Sequence, residues 1–232
     1  MEASKADTTL DIACTNGLKG MLLALDGQIR AKTGLAYTVN FASTKKMVDD
    51  IAGGATPDVA IAAQEAIDEL IAGGRLASPR IDIARSTIGV AVRTGTPHPD
   101  IRTVDAFFAA LKAAPSISRS RLGMSGQHLV ALLDRYGLAA ELTPKIKVYD
   151  AYAAQACANG ETDIAIQQIS ELLPVQGLDI VGPLPEAIQK VTIFSGGFGA
   201  STRRRGAAQT FMDYLTGKDV APLMRSHGLE PI

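Results

Sequence analysis

Two hydroxyl residues, Ser43 and Thr44, stand where a run of β-formers (Leu35, Tyr37, Val39, Phe41) gives way to a helical pattern carried by Met47, Val48 and Ile51. A strand that ends in hydroxyls on a helix N-terminus can hold a small anion. The first-turn N–H groups have no partner inside the helix, and the aligned peptide dipoles favour negative charge there. The alternative is that Thr44 only caps its helix. A similar construction returns at Leu122-Gly-Met-Ser-Gly, a loop that carries Ser125 and opens onto a helical stretch, Gln127–Tyr136. Asp150 precedes a further helical pattern, Ala151–Ala158, either as its N-cap or as a carboxylate facing a ligand. Arg119 and Arg121 come just before the Ser125 loop, and an Arg119 turned inward could pair with Asp150 or clamp a carboxylate.

Other chemistry is not visible. There is no GxSxG, HExxH or GxxxxGK[ST] pattern, and His98, His128 and His227 have no metal-ligand spacing. Cys14 and Cys157 form no CxxC and read as small buried side chains without a disulfide. Lys45, Lys46 and the run Arg203-Arg204-Arg205 read as solvated, Asp58 as structural, and Gly196-Gly-Phe-Gly as a hinge or packing segment. No metal, no cofactor and no enzymatic activity are expected.

The elements that must position these residues alternate. Short strands at 9–14, 35–42 and 58–62 each precede a helix (18–32, 44–52, 64–72), which is the rhythm of a parallel sheet with crossover helices. Arg80–Arg93 is too long for one more such strand. A second series follows: helix 104–113, strand 116–120, the Ser125 loop and its helix, strand 145–149, helix 151–158, strand 163–167. Val191–Gly199 is extended, and helices 205–215 and 220–227 finish the chain. The expectation is an α/β protein of two lobes, each a mixed sheet with flanking helices. Lobe I is 1–84 plus 196–232 and lobe II is 85–195, joined by hinge strands at about 81–93 and 188–199. Ligands of open α/β sheets bind beyond the carboxyl ends of the strands, and two such lobes can close on one.

Composition narrows the partners. The 232 residues are 47% hydrophobic and 20% charged, enough for a real core and against disorder. A net charge of −1 without basic or acidic blocks argues against nucleic acid or an anionic membrane. With 5% aromatics and no Trp, a sugar- or base-stacking platform is not expected. No apolar run approaches the roughly 20 residues that span a bilayer. Met1-Glu-Ala-Ser-Lys-Ala-Asp reads as a polar lead-in and not a signal peptide, so the expectation is a cytoplasmic protein if this is the native start and an exported one if a signal was removed.

In order and spacing, several stretches resemble the periplasmic solute-binding proteins of ABC transporters, in particular the molybdate-binding branch. They are Phe41-Ala-Ser-Thr-Lys-Lys-Met, Gly54-Ala-Thr-Pro-Asp-Val-Ala-Ile-Ala-Ala, Ser125-Gly-Gln-His, Gly160-Glu-Thr-Asp-Ile-Ala-Ile, Phe211-Met-Asp-Tyr-Leu-Thr-Gly and His227-Gly-Leu-Glu-Pro. The resemblance runs from about Leu10 to Glu230 and implies a type II periplasmic-binding fold that closes on a tetrahedral oxyanion. It implies capture in an interlobe cleft by hydroxyls and backbone N–H groups, delivery to an ABC permease, a periplasmic location and a monomer. Carried over by position, the family's first-loop serine falls on Gly17, beside Asn16 and Thr15, and the second-loop serine on Thr44, beside Ser43. The alanine opening the second-lobe helix falls on Ser125, the next apolar position on Asp150, and the donor tyrosine on Gln168. One hydroxyl is thus lost and an acid gained, so a small organic acid competes with a molybdate-like oxyanion as the ligand. A cytoplasmic ligand sensor and an enzyme on the same fold are the alternatives in function.

Overall fold

The computed structural model describes residues 9–150 and 153–232. The chain divides into two compact units, the first ending at Arg85 and resuming over Thr192–Ile232, the second Ser86–Val191. In chain order the elements are β1 (Thr9–Thr15), α1 (Lys19–Thr33), β2 (Ala36–Ala42), α2 (Thr44–Ala52), β3 (Val59–Ala63), α3 (Gln64–Ala72) and β4 (Leu76–Arg93). There follow α4 (Val104–Ala113), β5 (Ile117–Ser120), α5 (Met124–Arg135), α6 (Ala139–Leu142), β6 (Ile146–Tyr149), α7 (Ala153–Ala158), β7 (Ile164–Gln168), α8 (Ile169–Leu172) and β8 (Leu178–Pro183). The chain ends with β9 (Val191–Gly199), α9 (Arg205–Leu215), α10 (Ala221–Ser226) and β10 (Glu230–Pro231).

In the first unit β2, β1 and β3 run parallel, and β9 pairs antiparallel to β3. Every residue of β3 is buried, as expected of a strand covered on both faces. On one face α1 lays Met21, Leu22, Leu25 and Ile29 against Leu10, Ile12, Phe198 and Phe211. On the other, Met47 and Ile51 of α2 and Ile67 and Leu70 of α3 enclose Ala60 and Ala62. Beneath this sheet Asp58 accepts from the N–H of Asp11, the hydroxyl of Thr202 and the guanidinium of Arg204, which makes it a brace between β1, β3 and the return segment. The return to this unit at Thr192 comes before the expected 196, because Phe194 and Ser195 are already in register with Ala63 and Ala62.

In the second unit β6, β5 and β7 are parallel, and the far half of β4 pairs antiparallel with β7 and β8. α4 and α5 cover one face with Phe107, Phe108, Leu129, Leu132 and Leu133. Small residues of α7, Ala154 and Cys157, pack the other against Ala91 and Ala165. Both cysteines are free and buried, and burial pushes the Cys157 thiol up to about 11. Among the described residues no helix is long and apolar enough to cross a membrane.

One expectation changes. α5 begins at Met124, three residues ahead of Gln127, so Ser125 lies in its first turn and not in a loop. The reason is tertiary: a Cβ on Gly126 would come within 2.0 Å of the Ser120 carbonyl oxygen, so Gly126 lets the helix start press on the end of β5. The start expected for α7 at Ala151 lies outside the described residues.

Candidate functional site

The first unit gathers its candidate donors at the carboxyl ends of β1 and β2, which the Thr15–Ala42 register sets side by side. Ser43, extended at φ −67° and ψ 153°, is the N-cap of α2, its hydroxyl accepting from the N–H of Lys46 at 3.3 Å. This corrects the alternative in which Thr44 caps. Thr44 is the first helical residue, buried, and its hydroxyl donates to that of Thr15 at 3.3 Å. Lys45 and Lys46 are engaged in exposed i,i+4 pairs with Asp49 and Asp50, as solvated side chains would be. Asn16 and Gly17 lie in a short 3₁₀ turn after β1. Gly17 has no room for a side chain, since a Cβ there would stand 2.4 Å from Cζ of Phe194.

The second unit gathers its donors at the carboxyl ends of β5, β6 and β7. Ser120 pairs with Tyr149 in the β5–β6 register, and the N–H of Arg121 donates to the Tyr149 carbonyl at 2.8 Å. Gly123 is the N-cap of α5 and offers no side-chain acceptor to the first-turn N–H groups. The Ser125 and Ser120 hydroxyls have buried oxygens with no hydrogen-bond partner among the described residues. A buried hydroxyl left unpaired costs about 1–3 kcal/mol, and such groups at a helix start point to a ligand. Gln168 ends β7, buried. Beside it Glu171 accepts from the Gln167 side-chain amide at 3.3 Å, and burial pushes its carboxyl up to about 7 against that bond and one from the Gln168 N–H.

The charged candidates fall differently from expectation. Asp150 accepts from Nε of Arg121 at 2.6 Å, not from Arg119. Arg119 lines a cavity of about 70 Å³ with Val130, Leu133, Ala139, Thr143 and Val148, on the face of β5 covered by α5 and α6. There its Nη1 donates to the Ser120 carbonyl, and desolvation, then the neighbouring Arg121, draw its pKa down. A larger groove of about 290 Å³, lined by Arg93, Pro97, Ala113, Thr162 and Asp163, lies at the amino ends of β5 and β7, away from these donors. The histidines make local contacts: His128 with the Ile188 carbonyl, His227 with the Leu223 carbonyl, His98 with Asp179. No group of three or more metal-ligating side chains forms among the described residues. Ser120, Arg121 and Glu171 were not singled out as site residues by sequence. A signal for Glu171 was present in its i,i+4 spacing from Gln167.

A model of the bacterial extracellular solute-binding proteins matches residues 10–230, nearly the whole chain. The chain belongs to that family. This solute-binding protein is 32% identical to an aconitate isomerase from a Pseudomonas species, over 99% of this chain and 90% of that one. Its fold is shared with the periplasmic molybdate-binding protein of Azotobacter vinelandii, at a TM-score of 0.77 and 19% identity over 95% of this chain and 98% of that one. The tungstate-binding protein TupA of Desulfovibrio alaskensis superposes at 0.68 with 13% identity, over 97% and 98% of the two chains. The α/β organisation in two units is therefore that of the periplasmic binding proteins.

Proposed function

We propose that this solute-binding protein takes a small polycarboxylate anion of the aconitate class, not a tetrahedral oxyanion. The observation that carries the reading is Gly17 under Phe194. The position where the resembled molybdate binders place a first-loop serine is closed to any side chain. Full-length likeness to an aconitate isomerase supports the same ligand class. Within the first unit Thr44 is the candidate donor, with Asn16 and the capping Ser43 nearby; within the second, Ser125, Ser120 and Gln168 are the candidates. Delivery to an ABC permease, a periplasmic location and action as a monomer complete the reading and rest on the family.

The test is thermal unfolding with trans-aconitate, cis-aconitate, tricarballylate, molybdate, tungstate and sulfate. A ligand at about 100 times its dissociation constant adds about 2.7 kcal/mol, and the polycarboxylates alone should produce that shift. A shift with molybdate or tungstate and none with the polycarboxylates overturns the proposal.

A second reading, isomerisation of the bound acid, is favoured by Glu171, a carboxyl held near neutrality beside Gln168. Its carboxylate would take a proton from the methylene carbon of aconitate, and the electron pair of that C–H bond would delocalise through the double bond into the carboxylates. Return of the proton to the former vinyl carbon moves the double bond and exchanges cis for trans, with no oxidant or cofactor consumed. A base that titrates near the working pH suits such a transfer. Proton NMR of trans-aconitate with the protein in D₂O reads it directly: the cis isomer appears, with deuterium at the methylene carbon to the extent that the proton on Glu171 exchanges with solvent, or the protein is a binder only.

A further inference from the structure

The polycarboxylate reading leaves the ligand's charge unanswered, because the donors named so far are neutral. Resting on that reading, we infer that Arg121, now held on Asp150, recognises a carboxylate of the ligand. The backbone of Arg121 is pinned where β5 ends, by the bond from its N–H to the Tyr149 carbonyl. Its side chain leaves the sheet immediately before the first turn of α5. That turn carries Ser125, whose hydroxyl lies 3.9 Å from where a Gly123 Cβ would stand, with the Ser120 hydroxyl 2.2 Å from the same point. Among the described residues at 121–127, 150 and 169–172, which follow the carboxyl ends of β5, β6 and β7, Arg121 is the only cation. Arg119, two residues earlier, turns to the opposite use inside the α5–α6 cavity.

Asp150 holds Arg121 through Nε alone, with the two side chains 77% and 57% exposed. The remaining guanidinium N–H groups keep their fork, the geometry that receives a carboxylate in two parallel bonds. An ion pair so exposed contributes little, so a ligand carboxylate can take the place of the Asp150 carboxylate at small cost. The pair also accounts for an acid at a site for anions: Arg121 neutralises Asp150 until the ligand arrives.

The experiment is calorimetric titration of trans-aconitate and tricarballylate into wild type, Arg121→Gln, Arg121→Lys and Asp150→Asn, each checked for an unchanged melting temperature. Arg121→Gln should weaken binding at least tenfold and Arg121→Lys by less, while Asp150→Asn should bind as wild type or tighter because Arg121 loses its competitor. If Arg121→Gln and Asp150→Asn weaken binding equally, the pair is only a brace and the inference falls while the ligand class stands. If Arg121→Gln binds within twofold of wild type, the inference falls likewise. No binding by wild type overturns the ligand class, and the inference with it.

Discussion

Gly17 and Phe194 interlock: a Cβ on the glycine would stand 2.4 Å from the Cζ of a ring that is itself buried in the core of the first unit. The glycine is therefore built into the packing at the position where the resemblance implies a serine. Restoring the hydroxyl by Gly17→Ser should destabilise the protein by about 1–3 kcal/mol, the cost of overpacking a filled site. It should not create molybdate binding. Urea unfolding with and without molybdate checks both, and a Gly17→Ser variant of wild-type stability would show that Phe194 yields freely.

Ser43 and Thr44 divide the labour that sequence left shared between them. Ser43→Ala removes the cap and should cost about 1 kcal/mol in unfolding free energy, with ligand affinity little changed. Thr44→Val keeps the shape, removes the hydroxyl that meets Thr15, and should weaken ligand binding at least fivefold. Equal effects of the two on stability and binding would contradict this division.

Much of this was legible in advance for physical reasons. α2, α3, α4 and α9 fall on the expected residues because apolar spacing and flanking glycine or hydroxyl signals agree locally. The start of α5 was not legible, because Gly123-Met-Ser-Gly is turn-like by composition, and the close approach of Gly126 to the Ser120 carbonyl has no local signature. The choice between Arg119 and Arg121 turned on where β5 ends. Within the strand, Arg119 shares the face of Ile117 and is committed to the helices, whereas Arg121 lies one residue beyond Ser120 and is free to meet Asp150. Ser120 lacks any local signature, and the only one for Glu171, its i,i+4 spacing from Gln167, says nothing of a ligand.

Glu171 should make stability fall as pH rises. Its carboxyl is raised from 4.5 to about 7 in the folded protein, so the native state binds more protons than the unfolded state across that interval. Its contribution is most favourable below about pH 4.5 and is lost as pH passes through about 7. α8 packs on β7, which bears no charge, and on β8, whose Asp179 is held by the Thr94 hydroxyl and Gly95 N–H. Glu171→Gln should therefore gain on wild type by on the order of 1–3 kcal/mol between pH 5 and pH 8. A difference independent of pH would show that the carboxyl is solvated.

Asp58 is buried beneath the first-unit sheet and joins Asp11, Thr202 and Arg204. Asp58→Ala should cost about 1–3 kcal/mol, because the Asp11 N–H and the Thr202 hydroxyl each lose their buried acceptor. Denaturant midpoints read the loss, and a change under 1 kcal/mol would mean that water replaces the carboxylate without penalty.

The central claim is the ligand class, and the most direct measurement is calorimetric titration of the purified protein with trans-aconitate and, separately, molybdate. The account predicts saturable binding of one trans-aconitate per chain and no heat of binding with molybdate. Saturable molybdate binding with none for trans-aconitate would contradict it.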